Sequence, residues 1–453
     1  MAFEFRYYWN SITDHVSFFI DADNSVLEIG CRTGHLIGSL NCMDKTGIDS
    51  DPDMINKARK KFPSVNFIVS DSTEFSSDRK FDVIIVSNSI GRVGDVQRLF
   101  RNVSAASHPS TRIIVTYYNF FWEPLLKFGE FIGVKKKLPD QNWLSRKDIK
   151  NLLTLSGFET YRLSSSTLLP VYIPLVSEVC NSFLAHLPLL KNLCINNYAY
   201  AKPAPVVHPI SENLYTVSVI VPARNESGNV EQLLQRLPVM GKNTEVIFIE
   251  GGSDDETWKA IRSAADHYSG PLKIKIDRQN GTGKNDAVRK GFSLSEGEIL
   301  MILDADMTVA PEDLPRFYQV IVSGQADFVN GCRLVYPMKK EAMRLLNLFG
   351  NKVFGLIFSW LLEQPIKDTL CGTKVMWKKD YMKLDKNRSY FGEFDPFGDF
   401  DLLFGAYKLN LKIVDLPIQY HERTYGRSNI SRIRHGWLLF KMCLTGAMKI
   451  KFR

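Results

Sequence analysis

The sequence predicts an α/β protein made of two doubly wound domains, each a sheet flanked by helices. Three observations lead to this fold class. The 453 residues exceed what one core usually organises, and apolar strand-like runs alternate with helical patterns in both halves. The proline-rich stretch AKPAPVVHPI (201–210) shows neither pattern and separates the halves. We therefore predict domains at residues 1–200 and 214–453, the second ending in an amphipathic tail, joined by a linker at 201–213.

The composition is that of an ordinary globular protein, with 45% hydrophobic and 23% charged residues. The net charge of +8 suits anionic substrates or an anionic membrane face and is too small to indicate nucleic acid binding. The seven cysteines form no Cys-x-x-Cys pair, so neither a zinc site nor a disulfide framework is predicted. Neither a signal peptide nor a membrane-spanning run of apolar residues is recognised. We expect a protein of the reducing cytoplasm.

The first half contains five apolar runs that are predicted to be strands, at 26–30, 46–49, 65–71, 81–89 and 112–118. A helix predicted at 51–62 has acidic residues in its first turn and basic residues in its last, which suits the helix dipole. A second amphipathic helix is predicted at 145–159, before a further strand. This alternation predicts a doubly wound parallel sheet.

Polar residues gather where these strands end, which is where open α/β sheets bind ligands. The first strand contains Glu28 and runs into a tight turn from Gly30 to Gly34. Asp49 ends the second strand, where a carboxylate can accept two ribose hydroxyls, and Asp71 ends the third, near the place of an adenine. The turn is either a cofactor site or a purely structural connection.

This arrangement resembles the class I S-adenosylmethionine-dependent methyltransferases, whose first motif is Glu/Asp-x-Gly-x-Gly-x-Gly. Glu28, Gly30 and Gly34 match the motif, whereas Arg32 stands where the family has its middle glycine. The resemblance implies that S-adenosylmethionine binds at the three matching residues, at Asp49 and near Asp71. Whether this domain also transfers a methyl group stays open, because a bulky cation at residue 32 restricts the approach of a ligand.

Three apolar segments are shorter or more polar than a membrane span. Residues 168–190 are interrupted by prolines, and residues 345–362 carry a lysine and two asparagines. Each of these either lies on a membrane surface or packs into the core. The tail at 436–453 is predicted to be an amphipathic helix with a basic end, suited to an anionic leaflet.

In the second half, the apolar run 299–303 leads directly into Asp304-Ala305-Asp306. The run is predicted to be a strand buried in a parallel sheet. Side chains two residues apart in an extended segment point the same way, so both carboxylates can face one hard cation. The stretch is either a seat for Mg²⁺ or Mn²⁺ holding a diphosphate or an acidic turn.

Four motifs follow one another at suitable spacing: 219–226, 250–255, Gly283-Lys284 and 304–306. They resemble the family-2 inverting glycosyltransferases of the GT-A fold, most of all the dolichol- and polyprenyl-phosphate mannosyl- and glucosyltransferases. The resemblance covers residues 216–430. It implies that Asp304 and Asp306 hold the metal and that a nucleotide sugar is bound by Pro222, Ala223, Asn225, Glu226, Glu250, Lys284 and Asp304.

The same resemblance places the acceptor side further along the chain. Residues 330–333, 368–374 and 421–429 resemble stretches that meet the acceptor or close on the diphosphate. It implies that Arg333 and Arg423 position the acceptor and that Arg427 and Ser428 contact the diphosphate. A hydroxyl acceptor needs a general base, for which Asp399 or Asp401 is the candidate. A lipid phosphate needs none, because its oxygen is already an anion.

We therefore expect metal-dependent, inverting transfer of a hexose from a nucleotide sugar of the GDP-mannose or UDP-glucose type. The expected acceptor is a polyprenyl phosphate or a glycan, at the inner face of the cytoplasmic membrane. Two alternatives stay open. One is a methyltransferase of a glycan or glycolipid that uses the second half as a sugar-binding module, and the other is a non-catalytic scaffold.

Overall fold

The structure is a computed structural model that describes residues 2–132, 142–205, 214–336, 345–390, 398–423, 425 and 432–452. The chain divides into two compact units, residues 1–205 with 451–453 and residues 206–450. Each unit is built on one seven-stranded sheet.

The N-terminal unit has seven strands, which follow one another in the sheet in the order β3-β2-β1-β4-β5-β7-β6. They are β1 (Ser25–Ile29), β2 (Asp44–Asp49), β3 (Asn66–Val69), β4 (Phe81–Ser87), β5 (Ser107–Tyr118), β6 (Phe158–Ser166) and β7 (Asn196–Pro203). The first five are parallel, as predicted, and β7 runs antiparallel to both β5 and β6.

Helices connect these strands across the faces of the sheet. They are α1 (Ala2–Ser17), α2 (His35–Ser39), α3 (Pro52–Lys61), α4 (Val96–Ala105), α5 (Glu123–Phe131), α6 (Arg146–Leu155) and the single turn α7 (Val176–Glu178). The Asp51 side chain caps α3 by accepting from the backbone N–H of Asp53 and Met54. Leu99 and Phe100 of α4 and Leu153 of α6 are fully buried with the sheet residues of one core.

The predicted linker began too early in the chain. Ala201, Lys202 and Pro203 are the last residues of β7, where Ala201 pairs with Ile113 and Pro203 pairs with Phe158. A proline is tolerated here because it ends the strand. Residues 206–213, the remainder of the predicted linker, lie outside the described residues.

The C-terminal unit has a second sheet, in the order β10-β9-β8-β11-β13-β12-β14. Its strands are β8 (Thr216–Ala223), β9 (Asn243–Glu250), β10 (Lys273–Arg278), β11 (Ile299–Ile302), β12 (Phe328–Cys332), β13 (Lys374–Trp377) and β14 (Ile413–Pro417). The central strand β11 is buried throughout, as predicted. The prediction of a purely parallel sheet is wrong here, because β11 pairs parallel with β8 and antiparallel with β13.

Eight helices are described in this unit. They are α8 (Val230–Arg236), α9 (Thr257–His267), α10 (Lys284–Leu294), α11 (Leu314–Val322), α12 (Leu345–Leu362), α13 (Lys378–Lys386), α14 (Asp399–Lys408) and α15 (Arg432–Ile450). Helix α10 packs closely on β8 through Gly291, where a Cβ would lie 2.4 Å from the Ile220 Cγ2. The predicted fold class, two α/β units, is confirmed, and both sheets are mixed. None of the helices in the described ranges is long and apolar enough to cross a membrane.

Candidate functional site

The first candidate site lies at the turn after β1. Gly30 and Gly34 both have positive φ, +81° and +70°. A Cβ at Gly30 would come within 2.6 Å of the Ser89 Cβ, and one at Gly34 would come within 2.6 Å of the Phe67 ring. Both positions therefore require glycine, because the backbone of the turn lies against the side chains of Ser89 and Phe67.

Arg32 lies between these two glycines, where the motif has its middle glycine. Its φ of 52° is the left-handed conformation that glycine would adopt, and its backbone N–H donates to the Asp49 Oδ2 at 2.8 Å. The guanidinium lies 5.7 Å from the ring centroid of Trp9 on α1. The arginine thus keeps the backbone shape of the motif and directs its side chain toward α1.

The acidic residues near the turn have different surroundings. Asp49 accepts one backbone N–H on each oxygen, from Arg32 and from Asp51 at 3.0 Å. Glu28 is buried and accepts the N–H of Ile37 at 2.9 Å, and its burial raises its pKa to about 7. Asp71 accepts two hydrogen bonds from Thr73, which lower its pKa. The structure therefore brings Asp49 to the turn, and Asp71 caps a separate loop.

A small pocket lies near the ends of β4 and β5, and the sequence analysis does not point to it. Asn88 follows β4 with φ 44° and donates to the Tyr8 hydroxyl at 2.9 Å. The Tyr117 hydroxyl is buried and has no hydrogen-bond partner within the described ranges. The signal that could find the site is asparagine directly after a buried strand, since asparagine is enriched at positive φ. The lining residues are Asn88, Ile90, Gly91, Tyr117, Tyr118, Asn142 and Leu144.

The second candidate site lies at the end of β11, where Lys284 meets Asp304. Lys284 is the first residue of α10, and its Nζ lies 2.5 Å from the Asp304 Oδ1. Burial alone would raise the pKa of Asp304, but the Lys284 ammonium holds it below its usual value. Burial would likewise lower the pKa of Lys284, but Asp304 and then Asp399 raise it. Lys284 and Asp304 therefore form an ion pair in which each stabilises the charged form of the other.

Gly372 closes the space behind that pair. A Cβ at Gly372 would lie 2.1 Å from the Asp304 Oδ2 and 2.2 Å from the Lys284 Nζ. Lys284 and Asp304 form one ion pair, so a Cβ at residue 372 would displace both of its side chains. The backbone of residue 372 therefore fixes where the pair sits.

Asp306 faces a different cation, Arg423. The Arg423 Nη2 lies 2.6 Å from the Asp306 Oδ2, and its Nη1 lies 3.3 Å from the Glu226 Oε1. The other Asp306 oxygen accepts from the N–H and the hydroxyl of Thr308. Thr308 thus orients Asp306 by occupying one of its oxygens. Burial, with Asp304 and Asp306 adding to it, raises the pKa of Glu226 to about 7 although Asn229 and Arg423 oppose the shift.

The predicted nucleotide-binding residues lie at the ends of β8 and β9. Pro222 and Ala223 are the last residues of β8, and Ala223 is in register with Glu250. Asn225, at φ 57°, accepts the N–H of Asp254 at 2.8 Å. The Glu250 Oε1 accepts the N–H of Ser253 at 2.5 Å. Paired strands and crossing hydrogen bonds bring these predicted residues to one edge of the sheet.

The predicted acceptor arginine Arg333 is bound by a buried carboxylate. Its Nε and Nη2 donate to the two oxygens of Asp368 at 2.7 and 2.9 Å, and its guanidinium lies 5.2 Å from the Tyr420 ring centroid. Asp368 also accepts the backbone N–H of Arg333. This fork-to-fork pair fixes the plane of the guanidinium. Asp368 is therefore a positioning residue, whereas the sequence predicted only that the stretch 368–374 lies on the acceptor side.

The two candidate bases are both paired with cations. The Asp399 Oδ1 lies 3.1 Å from the Nζ of Lys374, which is fully buried. Asp401 pairs with Arg388 at 3.0 Å and lines a second small pocket beside α13. The structure therefore places Asp399 near Lys284 and Asp304, whereas Asp401 belongs to another pocket.

The loop after β14 is described in part. Tyr425 donates to or accepts from the Ser227 hydroxyl at 3.0 Å, and a Cβ at Gly228 would lie 2.7 Å from its ring. The predicted diphosphate residues Arg427 and Ser428 lie outside the described residues. Within the described ranges no group of three or more His, Cys, Asp or Glu residues is suited to a metal ion. At this edge of the sheet the two carboxylates of Asp304 and Asp306 face Lys284 and Arg423.

Comparisons with known proteins find a family match in each unit. Residues 218–398 match the family profile Glycosyl transferase family 2, and residues 3–163 match the profile Methyltransferase domain. The first match lies within the C-terminal unit and the second within the N-terminal unit. The predicted resemblances and the enzyme class are confirmed.

Two relatives make the assignment more definite. A dolichol-phosphate mannosyltransferase of Pyrococcus furiosus is 29% identical over 242 residues, which are 50% of this chain and 64% of that protein. An undecaprenyl-phosphate 4-deoxy-4-formamido-L-arabinose transferase of Edwardsiella ictaluri is 30% identical over 238 residues, 51% of this chain and 68% of that protein. The chain belongs to glycosyl transferase family 2, and it spans just under two thirds of the first of these relatives.

The N-terminal unit also has similar solved structures. An S-adenosylmethionine-dependent methyltransferase of Thermotoga maritima is similar over 44% of this chain and 91% of that structure. The sequence identity is 15% and the TM-score is 0.35.

Proposed function

We propose that the C-terminal unit transfers a hexose from a nucleotide sugar to the phosphate of a polyprenyl lipid, with inversion at the anomeric carbon. The observation that carries this proposal is the cluster at the end of β11, where Lys284 meets Asp304 and Arg423 meets Asp306. Carboxylates and cations set side by side suit a diphosphate that arrives with a divalent cation. The relatives named for dolichol phosphate and undecaprenyl phosphate support the acceptor class.

The donor would lie along the sheet edge formed by β8, β9 and β11. Asn225 and Glu250 would contact the base or ribose, with Glu226 and the last residues of β8 beside them, and Lys284 would contact the diphosphate. The ammonium then stabilises negative charge that builds on the departing diphosphate. GDP-mannose and UDP-glucose types of donor both suit this edge.

The choice of a phosphate acceptor follows from the two candidate bases. Asp399 pairs with a fully buried lysine and Asp401 pairs with Arg388. A hydroxyl acceptor would have to compete with these cations for the carboxylate oxygens. An acceptor whose oxygen is already anionic needs no base. Arg333, with its plane fixed by Asp368, would orient that acceptor.

Asp304 and Asp306 would hold Mg²⁺ or Mn²⁺. Magnesium is commonly bound through one or two carboxylates while substrate phosphates and water supply the other ligands, which fits these two carboxylates. When bound, such a cation neutralises charge on the leaving diphosphate.

The N-terminal unit is proposed to bind S-adenosylmethionine. The turn from Gly30 to Gly34 has a glycine with positive φ at each end, which is the tight turn after the first strand that such cofactor sites use. Asp49 accepts only one N–H on each oxygen, so lone pairs remain for ribose hydroxyls. The chemistry that the cofactor supplies when bound is a transferable methyl group on a sulfonium.

Helix α15 supports peripheral contact of the C-terminal unit with a membrane. Its exposed large apolar residues recur every three or four positions and so form one stripe, and the Lys441 ammonium lies beside that stripe, 5.8 Å from the Trp437 ring centroid. Such a helix suits the anionic inner face of the cytoplasmic membrane. The stripe consists of Trp437, Phe440, Leu444 and Met448.

The test is transfer by the full chain in detergent from a panel of labelled nucleotide sugars to undecaprenyl phosphate, with and without Mn²⁺. We expect Asp306→Ala to lower the rate by about 100-fold or more while the melting temperature stays close to that of the wild type. The control is Asp266→Ala, an exposed aspartate on α9.

Wild-type transfer by Asp306→Ala would contradict the metal assignment. Methyl transfer to a glycan without any sugar transfer would favour the sugar-binding-module alternative. If no nucleotide sugar raises the melting temperature of the wild type, the result contradicts the proposed sugar transfer and favours a non-catalytic scaffold.

A further inference from the structure

The N-terminal unit exposes many large apolar side chains in two segments, residues 120–132 and 171–193, which we call the apolar face. Phe131 and Leu189 are the most exposed of them, at 87% and 86%. Soluble monomers rarely expose so many neighbouring apolar side chains, and such patches mark contacts with proteins or membranes. The members are Phe120, Phe121, Leu125, Phe128, Phe131, Ile132, Val171, Tyr172, Ile173, Leu175, Val176, Val179, Phe183, Leu189 and Leu193.

Hydrogen bonds join the two segments into one surface. The Trp122 indole N–H donates to the Leu193 carbonyl at 2.7 Å. The Asn119 side chain donates to the carbonyls of Asn192 and Cys194, both at 2.8 Å. The start of α5 is therefore tied to the end of the segment that connects β6 to β7.

The polarity of the β6–β7 connection is inverted relative to an ordinary surface loop. Ser177 is fully buried, where its hydroxyl donates to the Val171 carbonyl and accepts the N–H of Ile173. Asn181 bonds both the N–H and the carbonyl of Leu169. Polar groups are thus satisfied inside the segment while large apolar side chains face outward. That arrangement suits hydrocarbon surroundings, where water cannot satisfy the backbone.

The apolar face also lies at the ligand-binding edge of its sheet. Tyr118, the last residue of β5, pairs with Asn196, the first of β7, so the β6–β7 connection starts and ends at the carboxyl end of β5. Tyr118 also lines the pocket that contains Asn88 and Tyr117. Residues 171–193 lie beyond the stretch 3–163 that matches the methyltransferase profile. The β6–β7 part of the face therefore lies outside the matched stretch, and it begins and ends at the same edge of the sheet as that pocket.

We propose that the apolar face docks the N-terminal unit on the hydrocarbon of a lipid bilayer, so that its substrate is presented from a membrane. Protein interfaces are enriched in arginine and methionine as well as in aromatic residues, whereas residues 120–132 and 171–193 contain neither arginine nor methionine. The charged residues of the face are few and nearly balanced, so hydrocarbon rather than headgroup charge would hold it. The link to a lipid substrate rests on the proposed polyprenyl acceptor, whereas the docking itself does not. The charged residues within 120–132 and 171–193 are Glu123, Lys127, Glu130, Glu178 and Lys191.

The test is flotation of the full chain with phosphatidylcholine vesicles in 0.5 M NaCl, which removes electrostatic attraction to headgroups. The starting protein carries Trp437→Glu and Leu444→Glu, so that α15 no longer contributes. We expect it still to float with the vesicles, and we expect added Phe131→Glu and Leu189→Glu to lower the bound fraction at least tenfold. Met43→Glu, at an equally exposed apolar residue outside the face, is the control and should leave the bound fraction unchanged.

The proposal is overturned if the α15 variant does not float, or if Phe131→Glu and Leu189→Glu leave its flotation unchanged. If these two changes instead convert an oligomer to a monomer in light scattering while flotation persists, the face is a protein contact and the proposal also falls. Sugar transfer to a detergent-dispersed polyprenyl phosphate, measured on the same variants, separates the two proposals. It should not respond to the apolar face, and its absence in the wild type would refute the proposed function alone.

Discussion

The two units place carboxylates at the ends of buried strands but give them different partners. Asp49 of the N-terminal unit is held by backbone N–H groups, whereas Asp304 and Asp306 of the C-terminal unit face Lys284 and Arg423. Backbone donors are fixed by the fold, but long side chains can change partner. Under the proposed function, the first site would suit neutral hydroxyls, and the second would keep its charges balanced until an anion and a cation arrive together.

The largest effect should come from the tightest packing in the C-terminal site. Gly372→Ala places a methyl against the Lys284–Asp304 pair, and we expect kcat/KM for sugar transfer to fall by about 100-fold because the pair is displaced. The measurement is transfer to undecaprenyl phosphate. Gly350→Ala on α12, where a Cβ meets nothing within 4 Å, is the matched control. Normal transfer by Gly372→Ala would show that the pair does not need its present position.

The N-terminal site should respond independently. Asp49→Asn replaces a carboxylate with an amide that has one acceptor oxygen, and we expect affinity for S-adenosylmethionine to fall by about 10- to 100-fold in titration calorimetry. Sugar transfer should be unchanged, which is the contrast with Gly372→Ala. Asp53→Asn, exposed on α3, serves as the control. An unchanged affinity in Asp49→Asn would place the ribose elsewhere.

Glu28 offers a pH test of the first site. Its pKa is raised from 4.5 to about 7 in the folded state by burial, so between these values the folded protein holds a proton that the unfolded chain has lost. The free energy of unfolding should therefore fall as pH rises from 5 to 7.5. We expect the melting temperature of the wild type to drop by a few degrees more than that of Glu28→Gln over this range. Equal pH dependence would mean that Glu28 is not the titrating group.

The smallest effect should come from restoring the missing glycine. Arg32→Gly removes a side chain from a residue with φ 52°, which should ease both the backbone and the approach of a ligand. We expect affinity for S-adenosylmethionine to rise by about two- to fivefold, measured by calorimetry as above. A loss of affinity would instead make Arg32 a ligand-binding residue.

The sequence predicts those features that depend on neighbouring residues. The strand that leads into Asp304 and the turn from Gly30 to Gly34 are both found, because apolar runs and glycine spacing are local patterns. The ion-pair partners of the predicted charged residues, in contrast, lie far from them in the sequence. Arg423 is 117 positions from Asp306, and Asp368 is 35 positions from Arg333.

The unpredicted parts of the fold have the same cause. The antiparallel strand β13 enters beside β11 after an excursion of more than 70 residues, and no pattern in either strand specifies that pairing. The linker was predicted from proline content, yet Ala201–Pro203 pair within the sheet because β5 and β6 offer them partners. Asp401 was as plausible as Asp399 from the sequence, and the structure separates them because Asp401 lies with Arg388 in another pocket.

The position of the apolar face in the chain affects how the protein is made. Strand β7 lies between β5 and β6 in the sheet. Neither strand can pair with β7 until it has been translated, which happens after residues 171–193. At about 5–20 residues per second, the ribosome releases this segment seconds before the sheet that holds it can close. The nascent chain therefore offers this apolar segment to chaperones, or to a nearby bilayer, while the N-terminal unit is still incomplete.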